Sequence, residues 1–332
     1  MRAPYAGIPL PSFISNLRIK SRLTYIFASD CHIGTAEFFD FKILGLAKII
    51  FWNRQTGRRN VYHAIMPPRR RFVPTNTDMA VCASYRKSRF IKVSWTRRHG
   101  HISLSFNVHG DSARQDAAGF ITSVRDDPMH TDLMTVNPSP ASNRCSATWL
   151  TTMSVTGTIE TCDAKEKSLR RNAFLRRFSG GQTDRTEGLA LMILNRTYYK
   201  MLTKSVLVTG IGKLSGRRLI FTLQTSNMDA ADQDRYNNNM LVIEGSRTLL
   251  PPVYITHPFG LEGKWIIQDT ESMVDLTFTP ISVNRRNLDI IALRNITVDI
   301  YGSFDGALLT QDGEKLSLKN FQGLIRSNTL RL

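Results

Sequence analysis

Strict two-residue alternation of apolar and polar side chains is the feature that most constrains the fold of this chain. Residues 101–109 read HISLSFNVH, so the apolar residues from Ile102 to Val108 share one face of an extended strand. The stretch FIKVSW at 90–95 comes just before it, and residues 98–100 between the two suit a hairpin turn. This pattern predicts paired β-strands.

The C-terminal part of the chain repeats the pattern. Short alternating segments separated by turn residues predict further strands at 274–278, 296–302, 306–309 and 315–318. Many short strands with intervening turns are typical of a barrel or a sandwich, and the scarcity of helical segments excludes a doubly wound α/β sheet. We therefore predict an all-β protein.

Three segments depart from this pattern. Residues 168–178 and 186–201 carry helical spacing, so we expect a few short helices there. Residues 113–143 contain three X-Pro turns, which predict long loops and a divide in the chain. The predicted parts are a basic N-terminal arm or targeting segment at 1–23, an N-terminal half-barrel at 24–142 and a C-terminal half-barrel at 143–332.

Several short stretches are weak signals alone but occur in a distinctive order. They are LGLAKIIFWN at 44–53, QTG at 55–57, LMTV at 133–136, MSVTG at 153–157, RLIF at 218–221, NMLVIEG at 239–245, VDLTFTP at 274–280, YGSFDG at 301–306, DGE at 312–314 and Gly323. In this order the chain resembles the uncharacterised family catalogued as domain of unknown function 2804. The resemblance implies a calycin-type fold of two lipocalin-like antiparallel β-barrel halves. Relatives of that architecture bind hydrophobic molecules, and some hydrate carotenoids or cyclise tocopherol precursors.

One region departs from the family pattern. The family usually shows an Asp-Trp-Gly-Arg-Gly stretch with a nearby Trp-Pro-Tyr, whereas residues 174–181 here read FLRRFSGG and are followed by what resembles an insertion. The acidic residue and the tryptophans are missing. This departure puts in doubt any ligand or reaction that depended on them.

The charge balance predicts contact with polyanions. Lys and Arg total 44 against 27 Asp and Glu, a formal net charge of +17, and such a surplus attracts nucleic acid, anionic lipid or acidic protein. The candidate polyanion-binding residues cluster in predicted loops and turns: Arg69, Arg70, Arg71, Arg86, Lys87, Arg89, Arg97, Arg98, Arg170, Arg171, Arg176 and Arg177. Phe72 and Trp95 are the candidates for stacking on bases. The alternative is that each cluster is simply a solvated face.

Catalytic and metal signatures are weak. His99, His101 and His109 have no Cys or carboxylate nearby to complete a metal site, and no nucleophile motif occurs. We therefore predict no metal, no cofactor and no catalytic residue, and whether the protein is an enzyme stays open. An acid in a dry barrel would need only one buried carboxyl group, for which the candidates are Asp30, Asp275 and Asp305.

Three functional hypotheses follow. The first is a non-enzymatic lipocalin-like barrel that acts as a scaffold or binds a hydrophobic small molecule. The second is an accessory subunit of a large RNA-rich organellar assembly, such as a mitochondrial ribosome, that contacts RNA or an acidic protein surface. The third is a cofactor-free isoprenoid hydratase or cyclase.

The expected location is inside the cell, either mitochondrial or cytoplasmic. Four widely spaced cysteines argue against a disulfide framework, and the first 23 residues hold basic residues but no acid, as transit peptides do. No apolar run reaches the roughly 18 residues that a membrane-spanning helix needs. We expect no transmembrane segment.

Overall fold

The computed structural model describes residues 18–67, 72–86, 89–110, 115–139, 144–162, 186–290 and 293–332. These residues form 20 β-strands, and the helical structure among them is a single 3-10 turn at Arg97–His99. No helix capable of spanning a membrane occurs in the described ranges. The prediction of an all-β protein is confirmed.

The larger sheet has 11 strands and curls into a nearly closed barrel. Its order is β4-β3-β2-β1-β11-β10-β8-β7-β6-β5, with β9 paired to β10. The strands are β1 (Ile19–Ser29), β2 (His32–Asp40), β3 (Gly45–Asn53), β4 (Arg59–Met66), β5 (Met79–Arg86), β6 (Arg89–Thr96), β7 (His101–Val108), β8 (Asp116–Ser123), β9 (Thr131–Pro138), β10 (Cys145–Cys162) and β11 (Thr186–Tyr198).

The smaller sheet has nine strands and forms a half-barrel with the order β15-β14-β13-β12-β20-β19-β18-β17-β16. Its strands are β12 (Leu202–Leu214), β13 (Arg217–Ser226), β14 (Met240–Ile243), β15 (Ser246–Leu249), β16 (Val253–Thr256), β17 (Trp265–Asp269), β18 (Val274–Ile290), β19 (Leu293–Leu309) and β20 (Lys315–Arg331). The pairings between these strands are antiparallel, as predicted.

The described residues group into two units. The first lies within 22–130 and 153–193, and the second within 18–21, 131–152 and 194–332. The predicted boundary at 142/143 differs from the division between the sheets, because β10 and β11 complete the larger sheet and the smaller one begins at Leu202. Of the predicted arm at 1–23, residues 1–17 lie outside the described residues and β1 begins at Ile19.

Two other sequence predictions are wrong. Residues 186–198 form strand β11 rather than a helix: Leu189–Ile193 are buried one after another, so the strand is apolar on both faces and its alternation is hidden. Residues 113–143 contain strands β8 and β9 rather than only loops, since both strands pair with β10. The second predicted helix, 168–178, lies outside the described residues.

The alternation at 101–109 is confirmed in the core of the first unit. Ile102, Leu104, Phe106 and Val108 are all buried, and β7 pairs with β6 in a continuous antiparallel register. The hairpin turn closes at Gly100, whose φ of 58° is a left-handed conformation that suits glycine.

A row of glycines crosses the smaller sheet. Gly210, Gly323 and Gly302 are direct register partners on β12, β20 and β19. A Cβ on each would overlap a phenylalanine ring, that of Phe221, Phe304 and Phe278 respectively. These rings belong to the buried core of the half-barrel, so the glycines make room for them and let the sheet curve beneath.

Candidate functional site

Four of the twelve predicted polyanion-binding residues are described, and they form two separate pairs. Arg86 and Arg89 are register partners where β5 meets β6, whereas Arg97 and Arg98 lie in the 3-10 turn at the other end of β6. The length of β6 separates the pairs by roughly 25 Å. The remaining candidates lie outside the described residues: Arg69, Arg70, Arg71, Lys87, Arg170, Arg171, Arg176 and Arg177.

The two predicted stacking residues are buried, so that prediction is wrong. Trp95 is 1% exposed and Phe72 is 6% exposed. Trp95 lies on the inward face of β6 with Ile91 and Val93, in agreement with the alternation of the strand. Phe72 packs against Phe38, with ring centroids 6.0 Å apart. Neither ring presents a face to a base.

The three candidate acids are all exposed. Asp275 accepts a hydrogen bond of 3.0 Å from the side chain of Gln268, and Asp305 accepts one of 2.8 Å from the backbone N–H of Asn320. Asp30 lies in the turn between β1 and β2. None of them is the buried acid that the hydratase or cyclase hypothesis requires.

A cavity of about 140 Å³ lies in the first unit, where the two ends of the larger sheet approach each other. Strands β4 and β5 end the strand order, and side chains bridge them in place of a backbone ladder. The Arg86 guanidinium donates to the Ile65 carbonyl at 2.9 Å, and the Ser84 hydroxyl donates to the Met66 sulfur at 3.1 Å. The cavity opens beside these bridges.

The floor of the cavity is mainly apolar. Tyr62 of β4, Ile91 of β6 and Val108 of β7 are buried and line it, and each belongs to the inward face of its strand. The Tyr62 hydroxyl donates to the Gln115 carbonyl. Ser84 also lines the floor, but its proton points to a sulfur rather than to a base, which gives no activated nucleophile.

The rim of the cavity is positively charged. Arg86 and Arg89 are exposed there, beside His63, Phe90 and His109. The Arg86 guanidinium donates to a neutral carbonyl, so that contact does not compensate its charge.

One acid stands close to this rim. The Nδ1 atom of His109 lies 3.6 Å from an Asp116 oxygen, and the other Asp116 oxygen accepts the Gly110 N–H at 2.7 Å. An apolar floor beneath two arginines can hold an apolar group that carries an acid.

A second polar cluster of the first unit is structural. Glu37 and Lys48 are register partners on β2 and β3, both buried, with 3.3 Å between carboxylate and ammonium. The Arg22 guanidinium lies 3.2 Å from the other Glu37 oxygen and 4.2 Å from the Phe39 ring centroid. Both cations contact the one Glu37 carboxylate, which leaves that carboxylate unavailable as a base.

Sequence reasoning identified the arginines of the cavity but not its floor. Tyr62 and Val108 are 46 positions apart and meet only because the sheet curls until β4 approaches β5 and β7. The alternation of β4 was the available signal, since it places Tyr62 on the inward face.

Comparison with known proteins adds a family and a distant structure. No curated protein matches the chain. Kievitone hydratase from Nectria haematococca is a similar solved structure, with 8% identity and a TM-score of 0.42 over 94% of this chain and 88% of that one. A family catalogued as "Domain of unknown function (DUF2804)" matches residues 11–331, nearly the whole sequence, and the protein is therefore a member of that family.

Proposed function

We propose that the cavity between β4 and β5 binds a small organic anion with a ring-sized apolar group. One observation carries the proposal: an apolar floor of Tyr62, Ile91 and Val108 lies directly beneath the rim arginines Arg86 and Arg89. This is a narrower form of the hydrophobic-ligand hypothesis, in which the charge of the ligand matters as much as its apolar part.

The size of the cavity limits the ligand. Its volume of about 140 Å³ is close to that of engineered cavities, about 150 Å³, that bind benzene. Pockets for drug-sized molecules measure roughly 300–1,000 Å³. A single ring or short branched chain therefore fits, and a longer molecule would place only one end in the cavity.

The rim determines the charge of the ligand. Arginine donates two parallel hydrogen bonds to a carboxylate, which is stronger and more directional than a neutral contact. Arg86 already donates one hydrogen bond to the Ile65 carbonyl. Arg89 is exposed at the rim and makes no ion pair with the described residues, which makes it the stronger candidate for the anion.

Calorimetric titration with three probes that share one benzene ring tests the proposal. Benzoate should bind, benzyl alcohol should bind more weakly and benzylamine should not bind, because the polar group changes from an anion to a neutral group to a cation. Arg89→Gln should weaken benzoate binding by about tenfold or more, since a hydrogen bond to a charged group contributes about 1.5–3 kcal/mol.

Arg98→Gln is the matched control, because it removes the same charge from an exposed residue at the other end of β6. It should leave benzoate binding unchanged. Equal binding of benzoate and benzylamine, or equal loss in both arginine variants, would refute the proposal.

A second proposal is contact with a polyanion as an accessory subunit of an RNA-rich assembly, mitochondrial or cytoplasmic. The net charge of +17 supports it. Sedimentation of a lysate at low salt should place the protein in a large particle, and added salt should release it, because each phosphate contact displaces counterions. A monomer-sized protein at low salt would contradict this proposal.

A further inference from the structure

The outward face of strands β5–β8 exposes large apolar side chains. Val81 and Tyr85 of β5 are 51% and 54% exposed, and Phe120 of β8 is 44% exposed. In each strand the alternate residues fill the core of the first unit, as Cys82 and Ser84 do in β5. Aromatic rings on the outward face therefore do not serve that core.

The register places these rings in one surface with a lysine. Tyr85 is the direct partner of Phe90, with ring centroids 6.2 Å apart. In the next row Lys92 pairs with Ser105, which pairs with Phe120. The Lys92 and Phe120 backbones are thus two strands apart, about 10 Å. We call Tyr85, Phe90, Lys92 and Phe120 the outer aromatic face.

The surrounding segment is strongly basic. Residues 79–110 contain six Lys or Arg and no Asp or Glu. Two acids share the outward face further along the sheet, Asp116 on β8 and Glu160 on β10, the latter partnered with Ala118. Asp116 is held by the Gly110 N–H and stands beside His109. Among the described cations of this segment, Lys92 lies on the outward face, and Arg86 and Arg89 lie at the adjoining end of the β5–β6 hairpin. The side nearest β5 and β6 therefore favours a polyanion.

We infer that the outer aromatic face binds single-stranded RNA. Exposed rings stack on unpaired bases, and nearby cations neutralise the phosphates. Ser105 and Asn107 on the same face of β7 supply hydrogen-bonding groups for ribose 2′-hydroxyls. An acidic peptide would match the charge but would make no use of two neighbouring ring faces. The inference rests on the second proposal, polyanion contact, and names the surface that makes this contact.

Fluorescence anisotropy with a labelled oligouridine of about ten nucleotides tests the inference. The intact protein should bind it, more weakly as salt rises. Tyr85→Ser and Phe120→Ser should each weaken binding by at least about fivefold, the loss of one stacked base. Both side chains are exposed, so neither change removes a core residue.

Tyr254→Ser is the matched control, because Tyr254 is 68% exposed on strand β16 of the second unit, outside the outer aromatic face. It should leave RNA binding unchanged, and Phe120→Ser should leave benzoate binding unchanged because Phe120 does not line the cavity. If RNA binding survives both Tyr85→Ser and Phe120→Ser, the outer aromatic face is not the RNA-binding surface, although the proposal of polyanion contact would stand. Absence of RNA binding at low salt would overturn both.

Two competitors separate RNA from other polyanions. Oligodeoxyuridine of the same length should compete less well than oligouridine, since it differs only in lacking the 2′-hydroxyls. Polyglutamate should compete poorly, since it has no bases to stack. Competition by either at the strength of oligouridine would overturn the assignment to single-stranded RNA.

Discussion

Replacing Gly210 by alanine should destabilise the second unit much more than the same replacement at Gly212. Both glycines lie on one face of β12, and neither has a positive φ, so the backbone accepts alanine at either position. A methyl group on Gly210 would overlap the ring of Phe221, whereas one on Gly212 would lie 3.5 Å from the ring of Phe321, an ordinary contact. The two substitutions therefore differ mainly in whether the added methyl group has room against the neighbouring ring.

The expected loss of stability in Gly210→Ala follows from how tightly the Phe221 ring is packed. Phe221 is fully buried, and its centroid lies 5.1 Å from that of Phe304 and 6.1 Å from that of Phe321. Overpacking such a core costs about 1–3 kcal/mol. A glycine-to-alanine change also gains about 0.4–1 kcal/mol through the unfolded chain, but both variants share this gain. We therefore expect the two variants to differ by the overpacking cost, about 1–3 kcal/mol.

Urea unfolding of the two variants, with hydrogen exchange measured on peptides from β12 and β13, gives the comparison. Gly210→Ala should unfold at lower urea and exchange faster in both strands, and Gly212→Ala should match or exceed the parent protein. Equal stability of the two variants would show that the Phe221 ring moves freely, and the glycine row would then have no packing role.

Three further predictions concern buried polar groups. Burial raises the pKa of Asp229 from 3.8 to about 6, so the folded state holds the proton more tightly and stability should fall as the pH rises from about 4 to about 6. Asp229→Asn should remove this slope in urea unfolding and stabilise the protein at pH 7 by up to about 3 kcal/mol; an unchanged slope would contradict it. The Tyr25 hydroxyl is buried and has no hydrogen-bond partner among the described residues. Tyr25→Phe should therefore stabilise the protein by about 1 kcal/mol and raise its melting temperature, and a lower melting temperature would contradict this. Lys48→Met should cost about 1–3 kcal/mol, because buried Glu37 loses one of its two cations and keeps Arg22. Glu37→Gln should cost more, about 3 kcal/mol or above, because both cations then lose the Glu37 carboxylate; a smaller loss in Glu37→Gln than in Lys48→Met in urea unfolding would contradict this.

The sequence predicted strands well where one face meets the core and the other meets solvent. The alternation at 101–109 marked β7 with its inward residues because its two faces differ in polarity. It failed at β11, which is apolar on both faces. The short strands predicted at 296–302 and 306–309 are parts of one strand, β19, whose register shifts between Phe304 and Gly306. A bulge resembles a turn when only the residues are known.

The candidate site could be predicted only in part for a related reason. Composition marked Arg86 and Arg89 as basic but could not say that they share a rim with Tyr62 of β4, since that proximity depends on how far the sheet curls. Trp95 is aromatic and close to basic residues in the sequence, and on that ground the sequence predicts a stacking role. Its position in the alternation of β6 points inward, whereas Tyr85 of β5 and Phe90 of β6 point outward. Orientation matters more here than distance along the chain.

Arg86, on edge strand β5, also has a simpler explanation, which one substitution separates from ligand binding. Edge strands such as β4 and β5 leave backbone groups unpaired, and charged residues there prevent edge-to-edge association. Edge protection needs a charge of either sign, whereas an anionic ligand needs a positive one. Arg86→Glu should therefore elute in gel filtration as the parent does at equal concentration, yet lose benzoate binding. If Arg86→Glu binds benzoate as the parent does, Arg86 serves the edge alone and takes no part in binding an anion at the cavity.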